Sequence, residues 1–274
     1  MAGPHLKRPP GRRSRIAKPH KIPLLKSSHA RSGCGFLTKR RQKICFRQEA
    51  IMDKSAPYTD RLAAGRALAE RLKKHSGDRP VIVGLPRGGV VVAAEIARVL
   101  KADLDVILAG KLRAPYNPEL AIGAVTEEGQ VYINNLAIRS LHIKESYIEE
   151  EQRSRLNAMR ERLSLYRLVK GKVPLKGRTV IIVDDGLATG STMISAIQAA
   201  HASGAKKIIV AVPGGPADTV ERIENMDEVS EVICPLIPDL FFAVSQLYYD
   251  FQQVEDIEVI EILRASVEEE RKRA

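Results

Sequence analysis

The chain has no tryptophan, and its aromatic residues are seven Tyr and five Phe among 274 residues. It lacks any uninterrupted apolar stretch of membrane-spanning length, so a transmembrane helix is not expected. Cysteine is scarce too. Cys34, Cys45 and Cys234 are an odd, scattered set without C-x-x-C spacing. That argues against a disulfide scaffold and a structural zinc site, and it fits a reducing, cytoplasmic setting. Acids are nearly missing from the first 51 residues, where 14 Lys and Arg face the single Glu49. The net charge of +11 therefore belongs to this leader, because the other 223 residues hold 30 Lys and Arg against 32 Asp and Glu. Beyond the leader no nucleic-acid signal remains. What is left is ordinary for an α/β protein with a substantial core, 44% hydrophobic and 28% charged.

The leader, residues 1–51, is rich in Arg, Lys, Pro, Ser and Gly and shows no periodicity, so it reads as disordered. It could be a nucleic-acid-binding arm or an organelle transit peptide, since it lacks the apolar core of a secretory signal. The reading adopted is plainer: the leader is not native structure, and Met52 is a sensible alternative start. One domain, 52–274, is then expected.

From Met52 onward, strands alternate with helices. Thr59–Lys74 reads as a helix capped by Thr59 or Asp60, followed by a buried strand at Val81–Leu85 and a helix at Val90–Leu100. Leu104–Ala109 reads as a second buried strand, and Ala121–Val125 with Gln130–Ile133 as a hairpin about Glu128-Gly129. A long charged helix follows from Ile143 to Leu168, with Tyr147, Leu156, Met159 and Leu163 inward and its charges solvated. Thr179–Val183 is a strand, Ser191–Ser203 a helix, Lys207–Val212 a strand and Val232–Leu236 the last strand. This alternation predicts an α/β fold with a central, mostly parallel sheet flanked by helices. Ligands of such sheets lie at the carboxyl ends of the strands, which directs attention to the loops after Leu85 and Val183.

After Val183 the chain reads Asp184-Asp185-Gly186-Leu187-Ala188-Thr189-Gly190-Ser191-Thr192. The helix start at Ser191-Thr192 offers unpaired backbone N–H groups, a ready anion site. Thr189, Ser191 and Thr192 add hydroxyls, and Gly186 and Gly190 permit close approach. Two acids beside a phosphate cradle must face something that wants acceptors, such as a ribose diol or hydrated Mg²⁺. A phosphate at one end and a diol at the other describe a ribose 5-phosphate. As solvent-side acids at a strand end, Asp184 and Asp185 should be replaceable together by Asn without loss of the fold.

This stretch resembles the phosphoribosyl pyrophosphate signature of the type I phosphoribosyltransferases. The resemblance implies that Asp184 and Asp185 contact the ribose hydroxyls and serve Mg²⁺, while Ala188, Thr189, Gly190, Ser191 and Thr192 wrap the 5-phosphate. Ala188 departs from the 6-oxopurine salvage members, which place an acid there, so a hypoxanthine–guanine assignment is weakened. Gly84-Leu85-Pro86-Arg87-Gly88-Gly89 resembles the family's pyrophosphate loop, in which a peptide is often cis; Arg87, Gly88 and Gly89 would then bind pyrophosphate. It is not a Walker loop, because no Gly-Lys-Ser/Thr follows. Gly110–Glu119 carries Lys111, Arg113, two prolines and Tyr116, which suits a mobile lid. In the family a loop here closes over the substrate, and Lys111 or Arg113 would neutralise the departing pyrophosphate.

Five of the aromatics fall between 241 and 251. The resemblance makes this a C-terminal hood over the acceptor, with most of those rings packing the hood's own core. From about Asp60 to Leu263, the blocks G-L-P-R-G-G, P-E-L-A-I-G-A, V-D-D-G-L-A-T-G-S-T and F-F-A-V…Y-Y-D-F are similar to a bacterial family of phosphoribosyltransferases of unassigned acceptor. The implied activity is transfer of phosphoribosyl from Mg²⁺–phosphoribosyl pyrophosphate to a nitrogenous base, with a homodimer allowed and no membrane partner. The rivals are a non-catalytic regulator that senses the same ligand and binds nucleic acid, and a Mg²⁺-dependent hydrolase. No obvious nucleophile supports the latter, and a slightly acidic domain disfavours the former.

Overall fold

The computed structural model describes residues 58–273 apart from 128, 130 and 134. The leader and the Met52 start lie outside the described residues. In chain order the strands are β1 (Val81–Gly84), β2 (Asp103–Val106), β3 (Gly110–Ala114), β4 (Asn117–Val125), β5 (Val131–Ile133), β6 (Thr179–Val183), β7 (Lys207–Ala211) and β8 (Val229–Ile233). The helices are α1 (Arg61–Leu72), α2 (Gly88–Leu100), α3 (Asn135–Ser140), α4 (Glu145–Arg167), α5 (Ser191–Ala202), α6 (Ala217–Glu224) and α7 (Asp256–Arg273).

Five of the strands form one parallel sheet in the order β2-β1-β6-β7-β8. Their side chains alternate between two cores, as a period of two requires. Ile82, Ile181, Val183, Ile209 and Ala211 face one core with α1, α2, Tyr166 and the Val259–Leu263 face of α7. Val81, Val83, Val180, Ile182, Ile208 and Val210 face the other, with α5 and Val220 and Ile223 of α6. Every residue of β1 and β6 is buried, which is why these segments read as continuous apolar runs.

This order fixes where a ligand can bind. From β1 the chain runs through α2 to β2 on one side, and from β6 it runs through α5 to β7 on the other. Because α2 and α5 lie on opposite faces, a crevice opens between the carboxyl ends of β1 and β6. This is the switch point of an open parallel sheet.

Several boundaries differ from expectation, and strand pairing explains them. β2 stops at Val106 because its sole partner in the sheet ends at Gly84, with which Val106 is in register. The last strand is Val229–Ile233, because its register with β7 closes at Ala211↔Ile233. The segment 110–119, expected as a loop, forms a β-hairpin. β3 pairs antiparallel with β4 across the turn at Pro115 and Tyr116, and β4 pairs with β5. Leu112, Ala114, Ile122 and Val125 bury a small core of their own against Tyr147, Ile148, Leu156 and Met159 of α4.

The charges of α4 are not all solvated either. Glu151 pairs with Arg113 and Arg155, both at 3.2 Å. Arg167 pairs with buried Asp105 at 2.6 Å and with Glu127 at 3.1 Å. Ion pairs reach inward wherever a long side chain can span to a partner.

Residues 234–254 hold one 3-10 turn at Val244–Leu247, and α7 then returns to the α1–α2 side of the sheet. The expectation that most of its rings pack a core is corrected. Tyr248 and Phe241 cluster with Tyr58, Ala64 and Leu247, but Phe242 and Tyr249 are 80% and 71% exposed and Phe251 is 37% exposed. No helix among the described residues is long and apolar enough to cross a membrane.

Cys234 lies just past β8, where burial pushes its thiol up to about 12. The thiolate, which is the reactive form, is therefore disfavoured at pH 8. Peptide mapping after maleimide treatment at pH 8 should find Cys234 modified more slowly in the folded protein than in guanidinium. Labelling of the folded chain at the unfolded rate would contradict this burial.

Candidate active site

Both loops singled out in the sequence meet at the switch point. Gly88 and Gly89, at the start of α2, lie directly on the acid pair that ends β6. A Cβ on Gly88 would collide with Asp185 Oδ2, and one on Gly89 would lie 2.8 Å from both Asp184 Cα and the Val183 carbonyl oxygen. This close approach is the physical reason for two glycines here, since any side chain would part the loops. The peptide between Pro86 and Arg87 is cis, as the pyrophosphate-loop resemblance implied.

The two acids have different surroundings. Asp185 Oδ2 accepts from Arg61 Nε at 2.8 Å, an ion pair only 10% and 15% exposed. Arg61 also donates to the Gln252 carbonyl at 2.7 Å and stacks over the Phe251 ring, 4.0 Å from its centroid. Tyr248 Oη donates to the Asp185 carbonyl at 2.6 Å, and burial, then the Asp185 charge, push its phenol well up. Asp184 has no such cation. Its Oδ1 accepts from the Asp185 N–H at 2.9 Å, and burial, reinforced by the neighbouring Asp185 carboxylate, raises its pKa well above the usual carboxylate range.

Beyond the acids lies a cavity of ≈ 220 Å³ lined by residues 184–193 and Val244. Its floor is the loop Gly186–Gly190. Gly190 has φ 71° at the N-cap of α5, a left-handed turn that aims the first N–H groups of the helix outward. Thr189 Oγ1 donates to Ser191 Oγ at 3.2 Å. Helix α6 braces the loop: Thr219 Oγ1 donates to the Ala188 carbonyl at 3.1 Å, and Arg222 donates to the Thr189 carbonyl. Ala188, Thr189 and Thr192 are exposed to the cavity side, and Ser191 is half-buried.

The structure thus brings together Asp184, Asp185, Gly88, Gly89 and residues 188–192. It does not bring Lys111 or Arg113 to the cavity. Both lie on β3, and Arg113 Nε is held by Glu151 at 3.2 Å. Arg87 leaves the same loop as the glycines but is paired with Glu255 Oε2 at 2.7 Å.

Sequence reasoning missed Arg61, Tyr248, Thr219 and Arg222. Arg61 had one legible signal. A cation at the first position of a helix opposes the helix dipole, so its placement asks for another partner.

The phosphoribosyl transferase domain family matches residues 57–252. The chain belongs to that family. It is 44% identical over 206 residues to a Mycobacterium tuberculosis protein that carries the provisional name of phosphoribosyl transferase, which covers 75% of this chain and 46% of that one. The chain therefore spans about half the length of the curated relatives it matches. The amidophosphoribosyltransferase of Saccharomyces cerevisiae is 28% identical over 183 residues, 66% of this chain and 29% of its own. Among solved structures, TT1426 from Thermus thermophilus superposes with a TM-score of 0.72 at 42% identity, covering 76% of this chain and 98% of its own. The phosphoribosyl transferase match spans both the 84–89 loop and the acid-pair loop, so the two segments that meet at the switch point belong to one family domain.

Proposed function

We propose that the domain binds Mg²⁺–phosphoribosyl pyrophosphate in the crevice between β1 and β6 and transfers the phosphoribosyl group to a nitrogenous base or similar nucleophile, releasing pyrophosphate. The observation that supports this most is the stacking of Gly88 and Gly89 on the acid pair. It leaves a loop that can hold pyrophosphate adjacent to acids that can hold a diol and to a helix start that can hold a 5-phosphate. In this reading residues 188–192 bind the 5-phosphate through N–H groups and hydroxyls. Asp184 and Asp185 accept from the ribose hydroxyls, and Arg87 with the Gly88 and Gly89 amides meets the pyrophosphate. Lys111 and Arg113 take part only if the β3–β4 hairpin swings over the cavity, which would break the Arg113–Glu151 pair.

The site also fits a divalent cation. Asp184 lines the cavity and, among the described residues, has no ion pair of its own, while Arg61 pairs with Asp185. Among the described residues no cluster of three or more His, Cys, Asp or Glu is placed to hold a metal by itself. That suits Mg²⁺ carried in by the substrate, which needs only one or two protein carboxylates beside its phosphate oxygens and waters. Bound with the ligand, Mg²⁺ would supply positive charge to the departing pyrophosphate. Catalysis then rests on position and charge, since the oxocarbenium-like transition state asks for little covalent work. With its three cysteines in no paired spacing, we place the protein in the cytoplasm.

The test is to incubate the protein with labelled phosphoribosyl pyrophosphate, Mg²⁺ and a panel of bases while following pyrophosphate release. Binding without turnover of any base would favour the sensor over the enzyme. Ligand contrast tests the two halves separately. Arg87→Ala should weaken phosphoribosyl pyrophosphate by about 1.5–3 kcal/mol and leave ribose 5-phosphate nearly unchanged. Thr192→Val should weaken both, because both ligands share the cradle. Equal losses for both ligands on Arg87→Ala would make Pro86–Gly89 a structural turn.

A further inference from the structure

The side chain of Arg87 is already engaged. Its Nη1 donates to Glu255 Oε2 at 2.7 Å, in a pair 31% and 54% exposed. Glu255 is not a chance surface acid. Its own N–H donates to Glu258 Oε2 at 2.7 Å, and its other oxygen accepts from Gln253 Nε2 at 2.5 Å. The next residue, Asp256, starts α7 and accepts from the buried Tyr166 hydroxyl at 2.5 Å and from Arg162 Nε at 3.2 Å. The carboxylate is therefore set at a helix start that α4 holds in place, within reach of the one arginine in the pyrophosphate loop.

We propose that Glu255 is a specificity-determining residue that stands in for pyrophosphate on Arg87, so that only a ligand bringing a stronger anion to the loop displaces it. This rests on the reading of Pro86–Gly89 as the pyrophosphate loop. A guanidinium pairs in the same planar fork with a carboxylate or a phosphate, so the two compete for one group. The carboxylate carries a single charge and pyrophosphate several. Ligands ending in one carboxylate gain too little to displace Glu255, whereas pyrophosphate does. The same competition loosens pyrophosphate once it has been cut free, which suits a product that must leave. Ribose 5-phosphate never meets Arg87 and is indifferent to the exchange.

The experiment is calorimetry on the full chain with two probes, inorganic pyrophosphate with Mg²⁺ and ribose 5-phosphate. Glu255→Gln should bind pyrophosphate about three- to fivefold more tightly, the scale of a part-exposed ion pair, with ribose 5-phosphate unchanged. Combined with Arg87→Ala, the same substitution should have no effect on pyrophosphate. Glutamine keeps the backbone bond to Glu258, so the thermal midpoint serves as a control for folding. If Arg87→Ala weakens pyrophosphate but Glu255→Gln leaves it unchanged or weaker, the loop stands and the role of Glu255 falls. If Glu255→Gln tightens both probes equally, general charge explains the effect and the specificity role is overturned. If Arg87→Ala leaves pyrophosphate unaffected, the loop assignment fails, and the role of Glu255 goes with it.

Discussion

An Asp184→Asn variant is expected to melt at a higher temperature than the parent chain and yet bind phosphoribosyl pyrophosphate ten- to a hundredfold more weakly. The two signs have one cause. Asp184 has no ion pair of its own among the described residues, and burial, then the Asp185 carboxylate beside it, disfavour its charged form and raise its folded pKa. A carboxyl raised in the fold gives stability that is fully present below its unfolded value and is lost as pH rises through the folded value. Asparagine keeps an oxygen for the Asp185 N–H and removes the charge, so that loss disappears. The gain in melting temperature over the parent should therefore widen as pH rises from about 4 upward. The ligand, by contrast, loses a charged acceptor, and one charge-assisted contact is worth about 1.5–3 kcal/mol. Thermal melts across that range and calorimetry with Mg²⁺ are the measurements. Unchanged affinity would remove Asp184 from the site, and a lower midpoint at pH 8 would mean that its charge is compensated in a way the geometry does not show.

Arg61→Ala should be the most damaging single replacement near the site. It strands Asp185 against Asp184 with no counter-ion, and it removes the bond to the Gln252 carbonyl and the stack on Phe251. Breaking a buried ion pair from one side costs about 3–5 kcal/mol, because the remaining charge stays buried. For a domain of this size that corresponds to a fall in midpoint of the order of 10 °C. The same logic corrects the sequence-based expectation that both acids could become Asn at no cost to the fold. Asp185→Asn leaves Arg61 unpaired, and only Asp184 can be neutralised freely. A double-mutant cycle between Arg61→Ala and Asp185→Asn should therefore be strongly non-additive, with the double variant less damaged than the sum. Additive losses would mean that Arg61 acts through the Phe251 ring and the Gln252 carbonyl alone.

How much of this was legible in the chain depends on whether the signal was local. β1 and β6 were readable because they are buried on both faces, which forces an unbroken apolar run. Helix α5 and its phosphate-type start were readable because a strand, two acids and a small-residue loop lie within thirteen consecutive residues. The hairpin at β3–β4 was not, because Pro115 and the cations Lys111 and Arg113 suggested a loop. Strand identity there comes from pairing with β4 and from the core shared with α4. Helix α7 was missed as well, since its buried anchors are Val259 and Leu263 among 18 mostly charged or polar residues. That face becomes meaningful only when it lies on the sheet.

The sequence by itself determined the parallel α/β class, the acid pair, the glycine-rich loop and the anion-binding helix start, because each is written in contiguous residues whose backbone needs are local. Only the tertiary structure decided which acid is neutralised. Arg61 reaches Asp185 across 124 positions, Tyr248 across 63, and Arg87 finds Glu255 across 168. An ion pair is a matter of distance in space. Nothing in the order of residues brings the start of α1, the end of β6 and the start of α7 to one crevice until the sheet order β2-β1-β6 places the chain ends there.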